Sequence, residues 1–78
     1  MKQVKPGEVL NLEGVACPQN SARALLRLEG MEVNAVLEII VDEGEPIKNV
    51  PPSLEAEGHE IISKVKAGAI WKIQVGKR

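Results

Sequence analysis

The chain has 78 residues, 44% of them apolar and 27% charged, with a formal charge of −1. That is the composition of one small globular domain over 1–78, not of a disordered segment. A chain this short buries only about 60% or slightly more of the surface it exposes when unfolded. Trp71 is the single aromatic residue, so the core is expected to be aliphatic and no platform for stacking bases exists. The near-neutral, interspersed charge argues against nucleic acid as a partner. One cysteine, Cys17, permits no internal disulfide, and no Cys/His cluster has zinc spacing, so neither metal nor cofactor is expected. No apolar run approaches 18 residues and no signal peptide is read. The expectation is a cytoplasmic protein with no membrane contact, in a compartment that suits an unpaired thiol.

Residues 1–7 are polar and end in the breaker Lys5-Pro6-Gly7. Glu8 to Glu13 alternates, with Leu10 and Leu12 on one side, and reads as a short strand closed by Gly14. Pro18 to Glu29 reads as a helix, with Pro18 at its first position, where a missing N–H costs nothing. Ala22, Leu25, Leu26 and Leu28 are the expected buried stripe, and Gly30 is the stop. Arg23 and Arg27 are four apart and share a face. They are either a solvated helix face or a docking surface for an acidic partner.

Met31 to Asp42 reads as the strongest strand, with Val33, Ala35, Leu37, Ile39 and Val41 on one side and Glu32, Asn34, Val36, Glu38 and Ile40 on the other. One mixed side predicts a sheet covered by helices on a single face. Pro46 to Glu57 reads as a second helix whose regular part starts only at Pro51 or Pro52, because prolines are tolerated in a first turn and not later. Val50, Leu54 and Ile47 are its expected buried residues, and Gly58 ends it. Glu60 to Lys66 is a strand whose facing is left ambiguous by Ile61-Ile62. Ala67-Gly68 is a turn, and Ala69 to Val75 is the last strand, with Trp71, Ile73 and Val75 inward. The order β-α-β-α-β-β predicts an α/β (α+β) two-layer sandwich, two helices on one face of a four-stranded mixed sheet.

Chemistry concentrates at Gly14-Val15-Ala16-Cys17-Pro18-Gln19-Asn20. If a helix starts at Pro18, Cys17 is its N-cap or the neighbour of the N-cap. Free backbone N–H groups and the positive end of the helix dipole then face the sulfur, and such surroundings lower a thiol pKa. The other reading is a buried cysteine acting as a small hydrophobe. His59 is the only histidine. It is either a base near Cys17 or a capping and structural residue.

These residues resemble the TusA/SirA family of small sulfur-carrier proteins. Leu12-Glu13-Gly14-Val15-Ala16-Cys17-Pro18 is similar to its leucine-x-glycine-x-x-Cys-Pro signature. Asn49-Val50-Pro51 with Gly58-His59 resembles its second block, and Trp71-x-Ile73-x-Val75-x-Lys77 its last strand. Three blocks in register over Val9 to Lys77 are more specific than any one. The family pattern is Cys-Pro-x-Pro, and here Asn20 replaces the second proline. The resemblance implies a sulfur carrier or sulfurtransferase. Cys17 would accept a persulfide sulfur from a donor such as a cysteine desulfurase or rhodanese-like protein, and relay it to an acceptor thiol protein. Gly14, Pro18 and Asn20 would support the helix start, and Arg23 and Arg27 would dock a partner. The contrasting expectation is a non-catalytic interaction module that binds a protein through Val36 and Ile40 on the open sheet face. The fold order also resembles the C-terminal domain of translation initiation factor 3, a likeness of fold alone.

Overall fold

The computed structural model describes residues 8–16 and 18–78. Among them the chain forms β1 (Glu8–Asn11), α1 (Gln19–Glu29), β2 (Val36–Asp42), α2 (Glu45–Ala56), β3 (Glu60–Ala67) and β4 (Ile70–Gly76). The sheet order is β1-β2-β4-β3. β1 runs parallel to β2, with Leu10 opposite Ile39. β4 is antiparallel to both its neighbours, with Ile73 opposite Ile39 on one side and Lys64 on the other. Leu37, Ile39 and Val41 of β2 and Ile73 and Val75 of β4 are buried together with Ala24 and Leu28 of α1 and Val50 and Leu54 of α2. These strand residues share one parity, so both helices cover the same sheet face and the other stays open. This is the expected two-layer α+β sandwich on a mixed sheet.

Four elements differ in detail from expectation. In α1 the buried stripe is Asn20, Ser21, Ala24 and Leu28, with Leu25 beside it. Ala22 and Leu26 face solvent, and Leu26 is 70% exposed. At 100° per residue, positions 22 and 26 lie about 160° around the helix from Ala24. A stripe through 20, 24 and 28 therefore excludes them, and the helix turns two small polar residues inward at its start. β2 begins at Val36, not Met31, because Asn34 has φ +77°. Asparagine tolerates this left-handed conformation, which ends strand geometry. The Asn34 N–H donates to the Lys77 carbonyl instead (2.9 Å). Val33, expected inward, sits in this turn and is 63% exposed.

The third difference is α2, which is regular from Glu45 and carries Pro51 and Pro52 inside it. Pro46 lies in its first turn, where proline is at home. The two later prolines deprive the Ile47 and Lys48 carbonyls of their usual N–H donors. Burial decides against this cost, since Val50, Pro51 and Leu54 all lie in the core. The helix closes in a Schellman turn: the Gly58 N–H donates to the Glu55 carbonyl and the His59 N–H to that of Leu54 (2.9 and 3.1 Å). Gly58 has φ +95°, which a side chain would strain. Lastly, β3 carries a bulge between Ile61 and Ser63. The extra residue resolves the Ile61-Ile62 ambiguity. Ile61 packs against the core, while the Ile62 side chain lies over Gly76 on the open face.

Candidate functional site

Cys17 lies outside the described residues, and the chain on either side of it is fastened. β1 continues in effect to Leu12, whose N–H donates to the Ile40 carbonyl (2.8 Å) and whose side chain is buried. Asn11 then makes an Asx turn, its Oδ1 accepting from the Glu13 N–H (2.8 Å). Gly14 follows with φ +78°. Its N–H donates to Oδ2 of Asp42, the last residue of β2, at 2.7 Å. The Val15 N–H closes back on the Leu12 carbonyl (3.1 Å). Beyond the cysteine, the Asn20 N–H donates to the Ala16 carbonyl (3.1 Å).

Helix α1 starts one residue later than expected. Pro18, with φ −93° and ψ 12°, is its N-cap and makes no side-chain cap hydrogen bond. Its absent N–H is still harmless there, and Cys17 immediately precedes the cap in sequence. The amides at the helix start are less free than a bare terminus. Besides the Asn20 N–H, the Ser21 N–H is taken by Asn20 Oδ1 at 2.6 Å. Asn20 is fully buried, and no buried side-chain nitrogen or oxygen among the described residues lacks a partner. Asn20 is thus an internal clasp of the first turn. The field of the helix dipole remains, since it belongs to the aligned peptides as a whole.

Three loops meet at this end of the sheet. Asp42 holds the loop of residues 12–16. Next to it, the Glu43 N–H donates to the Ala69 carbonyl in the β3–β4 turn (3.0 Å). The Glu43 carboxylate accepts from Trp71 Nε1 (3.1 Å) and pairs with Lys66 (3.2 Å). The Lys66 hydrogen bond first, and the Trp71 bond after it, lower the Glu43 pKa below its ordinary 4.5. Gly44 is the N-cap of α2, so both helices begin at this edge. Trp71, expected in the core, is half-buried against it with its N–H turned to Glu43.

His59 lies at the opposite end. Glu60, its neighbour, pairs with Gly76, which pairs with Val36 at the start of β2. Six steps of about 3.3 Å separate Val36 from Asp42, roughly 20 Å. His59 Nδ1 accepts the Arg78 N–H (3.2 Å), so its place is in the closure of the C-terminal segment. Arg23 and Arg27 line a groove of about 400 Å³ between α1 and β1, with Glu8, Leu10, Leu26 and Gly30. Arg27 is tied to Glu8 at 2.6 Å. Arg23 has no ion-pair or hydrogen-bond partner among the described residues. On the open sheet face Val36 is only 8% exposed, beside Gly76 and the overlying Ile62, and Ile40 is half-buried. The apolar side chains that do reach solvent there are Val9, Ile62 and Val65. Among the described residues no group of acidic, histidine or cysteine side chains could hold a metal ion, and no helix is long and apolar enough to cross a membrane.

Sequence reasoning found the cysteine loop and missed Asp42 and the inward turn of Asn20. An acid at the very end of the strand was the available signal for the first. For the second, a polar residue at a helix start reads equally well as solvent-facing.

The geometry defines a small two-layer domain whose first helix is capped by Pro18, next in sequence to Cys17, and comparison with known proteins gives its kinship. The profile of the family described as sulfurtransferase TusA matches residues 1–77. Two proteins of Archaeoglobus fulgidus carry the provisional name of sulfur carrier protein. One is 36% identical over 78 residues, covering 99% of this chain and 89% of the relative. The other is 28% identical over 69 residues, covering 88% and 94%. The crystal structure of a SirA-like protein from Desulfitobacterium hafniense has the same fold, with a TM-score of 0.74 at 21% identity over 88% of this chain and 95% of that one. This chain belongs to the TusA family.

Proposed function

We propose that the protein is a sulfur carrier that holds sulfane sulfur on Cys17 as a persulfide. Family membership across residues 1–77 carries this reading. The fastened loop and the helix start on either side of the cysteine support it, because a thiolate nucleophile needs a fixed, electropositive setting. In loading, the Cys17 thiolate attacks the terminal sulfur of a donor persulfide. The new S–S bond forms on Cys17 as the donor's S–S bond breaks, and the donor cysteine leaves as a thiolate. In unloading, an acceptor thiolate attacks the terminal sulfur and Cys17 leaves. No net oxidant is consumed, and no second cysteine is present to divert the persulfide into an internal disulfide.

Donor and acceptor are proteins in this reading, and the α1–β1 groove is where an acidic surface docks. Arg23 is the cation free to meet it, while Arg27 is occupied by Glu8. Intact mass after incubation with a small persulfide donor tests the chemistry. The wild type gains one sulfur that reductant removes, and Cys17→Ser gains none. No gain on the wild type, with Cys17 resistant to alkylation, overturns the carrier role in favour of an interaction module. Arg23→Glu is expected to slow sulfur exchange with a protein partner and to leave loading from the small donor unchanged.

A further inference from the structure

We propose that Asp42 is a positioning residue for Cys17, acting through the Gly14 amide. This rests on the carrier reading above and adds a residue to that site. Among the described residues, the Gly14–Asp42 bond is the cysteine loop's only hydrogen bond to a side chain outside the loop and α1. It spans 28 positions of sequence and is short, 2.7 Å, as a bond from N–H to carboxylate should be. Its two ends are built for it. Gly14 sits at φ +78°, a conformation open to glycine that turns its amide toward β2. Asp42 is held from behind: its strand pairs with β4 at Ile70, and the next residue is bonded to Ala69. The loop's other ties run from Leu12 to Ile40, Val15 to Leu12 and Asn20 to Ala16 along the backbone, and from the Glu13 N–H to Asn11 Oδ1. The Asp42 contact is the one that ties the loop by a side chain to the end of β2, three residues before the cysteine.

Position and charge act in opposite directions here, which makes the role testable. A carboxylate near a thiol disfavours the thiolate through its field. A carboxylate that anchors the loop to the end of β2, while the Asn20 N–H ties Ala16 to α1, favours it by keeping the sulfur in the dipole's field. Glu13, Glu43, Glu45 and Lys66, charged groups around this end, stay constant in every variant. Asp42→Asn keeps an oxygen acceptor and removes the charge. Asp42→Glu keeps the charge and displaces the acceptor by a methylene. Asp42→Ala removes both.

The experiment is the rate of Cys17 alkylation by iodoacetamide across pH, in the full chain. Asp42→Ala and Asp42→Glu are expected to react about tenfold more slowly at pH 7, with the thiol midpoint moved upward, and Asp42→Asn within about threefold of wild type. Equal rates for Asp42→Glu and wild type overturn the proposal. So does equal acceleration in Asp42→Asn and Asp42→Ala, which would reveal a field effect alone. Trp71 fluorescence in urea identifies a variant that fails to fold, and the Asn–Glu contrast still decides if Asp42→Ala does. Sulfur uptake by intact mass is read in parallel. A wild type that takes up no sulfur while the variants rank as stated overturns the carrier reading and leaves Asp42's positioning role standing.

Discussion

Replacing Asn20 by proline restores the Cys-Pro-x-Pro pattern, and the structure states what that should cost. Asn20 makes two contacts that proline cannot: its N–H donates to the Ala16 carbonyl at 3.1 Å, and its Oδ1 accepts the Ser21 N–H at 2.6 Å. Losing the first costs about 0.5–1.5 kcal/mol, and leaving the Ser21 amide unsatisfied at a buried helix start costs about 1–3 kcal/mol. The stiffer unfolded chain returns about 0.4–1 kcal/mol. The variant should therefore be less stable by about 0.5–4 kcal/mol. Asn20→Ala loses the acceptor and keeps the N–H, so it lands in the same range, because the retained hydrogen bond and the missing proline gain nearly cancel. Urea unfolding followed through Trp71 reads both, and in a domain this size each kcal/mol lowers Tm by about 4–8 °C. A proline variant as stable as wild type would show that the first turn of α1 does not depend on the Asn20 clasp.

Other substitutions test the packing and the charges. Pro52→Ala restores an N–H opposite the Lys48 carbonyl at an exposed site, and should raise stability by about 1–2 kcal/mol in urea melts after the lost chain stiffness is counted. Pro51→Ala should gain less or nothing, since Pro51 is buried and leaves a void. Ile39→Ala, in the middle of the covered sheet face, should cost about 2–5 kcal/mol, and Ile39→Val about 0.5–1.5 kcal/mol; equal melts for the two would contradict the core assignment. Glu43 has a lowered pKa, so its contribution is complete above its ordinary value of 4.5 and is lost as pH falls through the depressed one. Trp71 emission should titrate with a midpoint below 4.5, and Glu43→Gln should abolish that transition.

The strands were legible where a two-residue period coincided with burial. Leu37, Ile39, Val41, Ile73 and Val75 announce their face directly, and the helix-covered side follows from them. The misreadings have local causes. The apolar residues of α1 are spread around the helix, so composition could not say that Asn20 and Ser21 turn inward while Leu26 faces water; packing against the sheet made that choice. Proline's cost in a helix was weighed correctly at Pro51 and Pro52, yet tertiary burial of Val50, Pro51 and Leu54 outweighed it. Asn34 could occupy a strand or a left-handed turn, and only its bond to Lys77, 43 positions away, selects the turn. At the site, the Cys-Pro step was visible in the letters. The Asp42 contact was not, because a hydrogen bond across 28 positions leaves no local pattern.

β4 lies between β2 and β3, although it is the final strand of the described chain. Its neighbours do not touch each other in the sheet, so until residues 70–76 arrive the first two strands and β3 have no common partner. During synthesis the growing chain can make the parallel β1–β2 pair and its helix, but the two halves of the layer close only when the last segment is threaded between them. The four-stranded sheet therefore cannot be completed without β4, and a chain cut short within that strand should be recovered unfolded or degraded, not as a smaller stable domain.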